Sequence, residues 1–141
     1  MRVLSIRQPY AELILRGVKT IEYRSRPTKI VGERFLIYAS KAGVKARSQA
    51  GGKGIWSSDV EPPASTKALP WMLELATALR LFTEELPTGM IVGSAVIDRV
   101  EAGDESTGGL WRWHLKDAVA LASPRKPRGG HPQPVWWREV S

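Results

Sequence analysis

The chain has 141 residues and a mass of 15.6 kDa, which suits one compact domain. It contains no cysteine and only two histidines, so thiol chemistry, disulfides and cysteine-ligated zinc are excluded, and a multi-histidine metal site has almost no material. Its 21 basic residues oppose 14 acidic ones, for a formal net charge of +7. Such a charge can simply keep a protein soluble, but a domain this basic favours a polyanionic partner, most commonly nucleic acid.

No apolar run approaches the roughly 20 residues that a membrane-spanning helix needs. The first residues, 1–5, show no signal-peptide pattern. We therefore expect a cytoplasmic protein with no membrane partner. No Pro/Ser-rich linker separates two hydrophobic blocks, which predicts a single domain over residues 1–141, with its oligomeric state left open.

The N-terminal part predicts short strands around one helix. Residues 2–6 alternate apolar and polar side chains, as a strand does. Gln8-Pro9 then opens a helix that ends at Gly17. Residues 19–25 predict a second strand with two different faces, and the continuously apolar segment 34–40 predicts a buried third strand.

Residues 41–64 differ in composition from the rest of the chain. Lysine and arginine stand among glycine and alanine over 41–54 without an acidic residue, and a double proline follows at 62–63. We interpret this stretch as a basic loop excursion, either a solvated surface loop or a nucleic-acid-binding arm. Beyond it, apolar residues at three- and four-residue steps predict a helix over 69–81, with Glu74 on its exposed surface.

The C-terminal half is dominated by predicted strands. Residues 90–100 predict a strand, 102–109 an acidic, glycine-rich hairpin connection, 110–122 a strand pair, and 135–140 a final strand element. A basic segment without acidic residues, 124–132, precedes the last of these. Many short strands with two helices predict an α+β fold, a small β-barrel flanked by helices.

A charged cluster follows the first helix. If 19–25 is a strand, Thr20, Glu22 and Arg24 share one face, and Lys19 stands at the corner between helix and strand. A salt bridge on a solvated surface explains the same residues, so their spacing leaves a structural and a functional interpretation open.

Two further groups contain candidate binding residues. Near the start of the helix, Gln8 either meets a ligand or caps the helix. Among the six tryptophans, Trp111 and Trp113 share a strand face that could stack a base, although at least half of the indoles should belong to the core. Standard catalytic signatures such as the phosphate-binding loop, the zinc-protease motif and the nucleophile elbow are absent.

Longer motifs carry a family resemblance. Residues 4–15 read LSIRQPYAELIL, and 17–25 read GVKTIEYRS, which contains the pattern G-x-K-x-x-E-x-R without a gap. Further similarity lies at 32–41, 89–95, 113–115 and 127–137. In these motifs, nearly along its whole length, the chain resembles the activating signal cointegrator homology (ASCH) family, which belongs to the PUA-like group of β-barrels.

The resemblance implies a pseudo-barrel with a cleft beside the first helix that binds RNA or a nucleotide, RNA being preferred over DNA. Carried onto this chain, the cleft residues are Lys19, Glu22 and Arg24. Around them we place Arg7, Gln8, Tyr10, Ser40 and Lys41. Lys19 and Arg24 would hold a phosphate or a base edge, and Glu22 would orient Arg24 or accept from a base amine. Gln8 and Tyr10 would read and stack the base.

The resemblance also implies an alternative. Some relatives are reported as ribonucleases, and a compact bacterial branch as amidohydrolases that act on N-acetylated cytidine, so Lys19 and Glu22 could form an acid/base pair. That branch has threonine where this chain has Glu22, and its third catalytic carboxylate has no matched position here, which weakens deacetylation. A peptide-binding adaptor is a third interpretation. The sequence predicts no cofactor and no metal ion.

Overall fold

The computed structural model describes residues 1–41, 48–49, 53–54, 70–81 and 85–140. Most of the predicted basic excursion around 41–64 therefore lies outside the described residues. The elements are β1 (Arg2–Arg7), α1 (Tyr10–Leu15), β2 (Ile21–Arg24), β3 (Arg34–Ser40), β4 (Ser48–Gln49), β5 (Lys53–Gly54), α2 (Pro70–Leu81), β6 (Met90–Glu101), β7 (Trp111–Arg125) and β8 (Trp136–Arg138).

Six strands form one mixed sheet in the order β2-β7-β6-β3-β1-β8, and β4 pairs with β5 apart from it. β1 runs parallel to β3, whereas the other neighbours in the large sheet are antiparallel. The sheet curls into a half-barrel, and α1 packs against β1, β3, β6 and β7. The predicted α+β small barrel is confirmed. Within the described ranges, no helix is both long and apolar enough to span a membrane.

The prediction of a strand pair over 110–122 is wrong, because β7 is a single strand that continues to Arg125. It pairs with β6 through several register shifts, one of them between Ser94 and Val96. Opposite that shift lies Asp117, which has a left-handed φ of 51°. Such irregularities bend a strand and increase its twist, so one long strand can follow the curvature of the barrel.

A close backbone approach fixes α1 against the sheet. A Cβ atom at Gly93 would lie 2.4 Å from Leu15 Cδ2 and 2.5 Å from the carbonyl oxygen of Val119, so only glycine fits there. Gly17, two residues beyond the end of α1, adopts a left-handed φ of 76°, which lets the chain turn back toward β2.

The tryptophans of β7 and β8 serve the core. Trp113 and Trp137 are buried, and Trp111 and Trp136 pack against the buried cluster. The rings of Trp113 and Trp136 are stacked with centroids 6.0 Å apart, and Trp113 Nε1 donates to the carbonyl oxygen of Arg26. The structure therefore gives these four indoles packing roles, as expected for at least half of the tryptophans.

Candidate functional site

A cavity of about 660 Å³ lies beside α1, at the sheet edge where the parallel strands β1 and β3 both end. Arg7 is opposite Ser40 in the register of these strands, so their last residues stand together on the rim. The remaining walls come from the turn before β2, from β2 itself, from α2, and from a segment preceding β8. The cavity is lined by Ser5, Ile6, Arg7, Tyr10, Lys19, Glu22, Tyr23, Arg24, Tyr38, Ser40, Lys41, Glu74, Leu110, Pro132, Gln133 and Pro134.

The structure brings the predicted site residues together here, with one exception. Arg7, Tyr10, Lys19, Glu22, Arg24, Ser40 and Lys41 all line the cavity. Gln8 does not. Its side chain is fully buried, where Nε2 donates to the carbonyl oxygen of Pro87 (3.1 Å) and Oε1 accepts from the amide of Glu12 (3.0 Å). Gln8 thus caps the start of α1, which was the other interpretation of this residue.

Local chain geometry carries Lys19 into the cavity. After α1, the amides of Val18 and Lys19 both donate to the carbonyl oxygen of Leu13, which closes a tight turn. The Lys19 side chain then points inward and is only 3% exposed. Lysine is rarely buried unless its ammonium group is paired, so this position requires acceptors around Nζ.

Three oxygens supply those acceptors. Lys19 Nζ lies 2.5 Å from the carbonyl oxygen of Ile21, 3.5 Å from Glu22 Oε1 and 2.5 Å from Glu74 Oε2. The rings of Tyr10 and Tyr23 lie beside the ammonium group, with centroids 5.7 and 5.1 Å away. The hydrogen bond to Ile21 and the two carboxylates together balance the buried ammonium charge.

Glu22 and Arg24 share one face of β2, as predicted from their spacing. Arg24 Nε donates to Glu22 Oε2 (2.9 Å), and Nη2 lies 2.7 Å from the same oxygen. Nη2 also donates to the carbonyl oxygen of Ser5 (2.7 Å). Its guanidinium lies over the Trp113 ring at 5.6 Å. Thr20 precedes β2 and is exposed, so it does not join this face of the strand. The pair is a salt bridge, yet it lies inside the cavity rather than on a solvated surface.

The surroundings shift the pKa values of the Glu22 and Glu74 carboxyl groups in opposite directions. Burial alone would raise the pKa of Glu22, but the charges of Arg24 and Lys19 and their hydrogen bonds outweigh it and hold that pKa below 4.5. Burial raises the pKa of Glu74 above its usual value, the charge of Glu22 adds to this, and Lys19 offsets only part. Burial, helped by Glu74 and Glu22, also raises the pKa of Tyr10 to about 12, which keeps its phenol neutral.

Among the charged residues of the lining, Glu74 is the one that the sequence did not predict. The helical pattern placed it on the outer surface of α2, whereas the structure places it in the cavity wall. Both of its carboxylate oxygens are buried, and neither accepts a hydrogen bond from the described residues. Oε2 has the ion-pair contact with Lys19, whereas Oε1 has no charged partner among those residues. The only signal available in the sequence was a lone carboxylate close to the apolar stripe, and such a pattern does not reveal a partner as distant in sequence as Lys19.

The rim of the cavity is basic. Arg7 and Lys41 are exposed, and neither forms an ion pair with any residue in the described ranges. On the other side, residues 132–134 continue from the basic segment 124–132. In that segment Arg125 is held by Glu139 through two contacts of 2.7 and 2.8 Å, whereas Arg128 keeps an exposed side chain. Where the structure describes the chain, no three His, Asp or Glu side chains come together as a metal site would require.

The sequence comparison agrees with this architecture. The model of the ASCH domain matches residues 4–119, which include every element of the cavity except the segment before β8. No curated protein matches the chain. ASCH domains are PUA-like and generally associated with RNA. Because the match covers most of the 141 residues, the chain belongs to the ASCH domain family.

Proposed function

We propose that this protein binds RNA, with one nucleotide seated in the cavity beside α1. The observation that carries the proposal is the difference between the charged groups at the rim of the cavity and those in its interior. Exposed cations that pair with no acidic residue in the described ranges stand on its rim, and aromatic rings and tightly paired charges lie deeper inside. Its volume of about 660 Å³ falls in the usual range for small-ligand pockets.

The rim suits phosphate. Arg7 and Lys41 carry full charges that no described acidic residue neutralises, so both are available to a polyanion. Arg7 is the last residue of β1 and Lys41 follows the last residue of the parallel strand β3, which places both cations at the same end of these strands. Arginine binds phosphate through a planar fork and lysine through a compact charge, and both serve RNA backbones.

The interior suits a base. Tyr10, Tyr23 and Tyr38 contribute aromatic surface to the lining, and unstacked RNA bases commonly pack on such rings. Arg24 is held in one orientation by Glu22 and Ser5, so its guanidinium is pre-positioned for a ligand. Among the charged lining groups, cations outnumber carboxylates, namely Arg7, Lys19, Arg24 and Lys41 against Glu22 and Glu74.

The test is RNA binding at two salt concentrations. A labelled single-stranded RNA is titrated by fluorescence anisotropy at about 50 and 200 mM salt, where phosphate contacts weaken steeply. We expect the double variant R7Q/K41Q to lose about tenfold or more in affinity and to show a shallower salt dependence, since each phosphate contact contributes roughly 0.7 to the logarithmic slope on single strands.

The matched control is R99Q/K116Q. It removes the same two charges from exposed side chains that lie outside the cavity lining. Equal losses in both double variants would show that only net charge matters, and would contradict binding at the cavity. Affinity that does not change with salt would remove the phosphate contacts from the proposal.

One observation favours a second function, hydrolysis of RNA or of an N-acetylated cytidine. Lys19 stands between two carboxylates, those of Glu22 and Glu74. Glu22, the acid/base partner that the sequence predicts for Lys19, forms an ion pair with Arg24, and its lowered pKa keeps it ionised. Glu74 has a raised pKa and an oxygen, Oε1, to which no described residue donates, so it is better suited to take a proton from water. Deacetylation would then add water across the amide and release acetate and the free amine.

Purified protein incubated with each substrate in EDTA tests the alternative. Turnover that is lost in E74Q and kept in E105Q, which alters an exposed glutamate outside the cavity, would support an enzyme. If turnover persists in E74Q, the hydrolysis is due to another group or to a contaminating enzyme. No turnover by the wild-type protein would contradict the hydrolase, and RNA binding would remain as the proposal.

A further inference from the structure

Glu74 Oε1 is a buried acceptor that receives no hydrogen bond from the part of the chain that the structure describes. Its carboxylate stands in the cavity wall, and neither a side chain nor a backbone amide of the described residues donates to Oε1. The nearby ammonium group of Lys19 lies against the other oxygen of this carboxylate, with Nζ 2.5 Å from Oε2. A buried polar atom left without a partner is costly, so a ligand that brings an N–H to this point gains more than an ordinary hydrogen bond supplies.

A donor without an acceptor lies in the same cavity. Arg24 uses Nε and Nη2 for Glu22 and for the carbonyl oxygen of Ser5, but Nη1 donates to none of the residues that the structure describes. Successive ion pairs connect Glu74 to Lys19, Lys19 to Glu22 and Glu22 to Arg24. The acceptor and the donor are therefore both held by a single charged network rather than by independent surface side chains.

We propose, on the basis of the RNA-binding function above, that Glu74 makes the cavity select bases with an exocyclic amino group beside a ring acceptor nitrogen. Adenine and cytosine carry this edge, in which the amino group can donate to Glu74 Oε1 and the ring nitrogen can accept from Arg24. Their keto counterparts, hypoxanthine and uracil, are disfavoured.

The reason is a mismatch of acceptors. A keto oxygen in the position of the amino group would face the carboxylate with a second set of lone pairs. Turning the ring so that its imino N–H meets Glu74 still leaves an adjacent keto oxygen close to the carboxylate. Sites that hydrogen-bond one group of a ligand reject analogues without it most strongly when their own polar atom is left unpaired.

The test compares RNA hexamers that differ at one base. Uridine hexamers carrying cytidine, uridine, adenosine or inosine at one central position compete against a labelled RNA. We expect cytidine to outcompete uridine, and adenosine to outcompete inosine, each by about tenfold or more, the discrimination that one good base contact provides.

The variant E74Q sharpens the test. A glutamine amide can rotate to present either its oxygen or its NH₂ group. In E74Q, the affinity ratios of cytidine to uridine and of adenosine to inosine should therefore both approach 1, while the hexamers still bind. The control E105Q should keep both preferences. If E74Q does not fold, as judged by its unfolding transition, the wild-type comparison of the two matched pairs still decides the question.

The outcomes separate the two proposals. Equal binding of all four hexamers, or tighter binding of the keto member of each pair, would overturn the selection by Glu74 and leave RNA binding intact. If none of the hexamers binds, and the labelled RNA does not bind either, the proposed function fails and this inference fails with it.

Discussion

Lys19 Nζ and Glu74 Oε2 lie 2.5 Å apart, one residue coming from the turn after α1 and the other from α2. This contact ties α2 to the charged cluster on β2, because Lys19 also pairs with Glu22. The cavity therefore contains a row of alternating charges, Glu74, Lys19, Glu22 and Arg24, which is complete only when α2 packs beside α1. Removal of one member should disturb the others, since each charge is buried and depends on its neighbours.

Glu22 is expected to contribute strongly to stability. In E22Q, Lys19 and Arg24 lose their shared counter-charge, and breaking a buried ion pair by removing one partner costs about 3–5 kcal/mol. The free energy of unfolding, measured by urea denaturation with tryptophan fluorescence at pH 7, should fall by about that amount. The control E105Q alters an exposed glutamate and should change little.

The same variant gives a pH dependence. Because the pKa of Glu22 is lowered in the folded protein, its contribution is present above the ordinary value of 4.5 and is lost as the pH falls toward the lower folded value. The stability difference between wild type and E22Q should therefore narrow below pH 4.5. A difference that stays constant from pH 7 down to pH 3 would show that the charge of Glu22 is not what stabilises the cluster.

Gln8 should matter for folding and not for RNA. In Q8E, the Nε2 donor to the carbonyl oxygen of Pro87 is replaced by a carboxylate oxygen, so two buried acceptors face each other. We expect a loss of about 1–3 kcal/mol in unfolding free energy, with the RNA affinity of the folded protein unchanged. Reduced affinity at unchanged stability would instead show that Gln8 contacts the ligand.

Gly93 should tolerate no side chain. In G93A, the new methyl group would overlap the end of the Leu15 side chain, which can move, and the carbonyl oxygen of Val119, which is fixed in β7. Overpacking of this kind costs about 1–3 kcal/mol. A thermal melt by circular dichroism measures the effect, and an unchanged midpoint would show that β7 can shift away at no cost.

The local patterns of the sequence predicted most of the strands and the central charged pair. Period-two spacing placed Glu22 and Arg24 on one face, and helical spacing predicted α2, which the structure shows over Pro70–Leu81. The continuous apolar run predicted β3 with its observed bounds. Each of these features depends on residues close together in the chain, which is where side-chain periodicity carries information.

Features that depend on tertiary packing were not predictable in the same way. Glu74 looked like a surface residue because its partner, Lys19, is brought to it only when α2 packs beside α1. The single strand β7 looked like two because bulges opposite β6 interrupt its alternation. Gln8 could serve a ligand or the helix, and only the burial of its amide against Pro87 decides between them.

The most direct test of RNA binding in the cavity is an NMR titration of ¹⁵N-labelled protein with a short single-stranded RNA. We expect the largest amide shifts at residues 5–8, 10, 19–24 and 40–41 and at Gln133, which lie around the cavity. Shifts of that size confined to the exposed part of β7, for example 116–122, with the cavity residues unmoved, would contradict it.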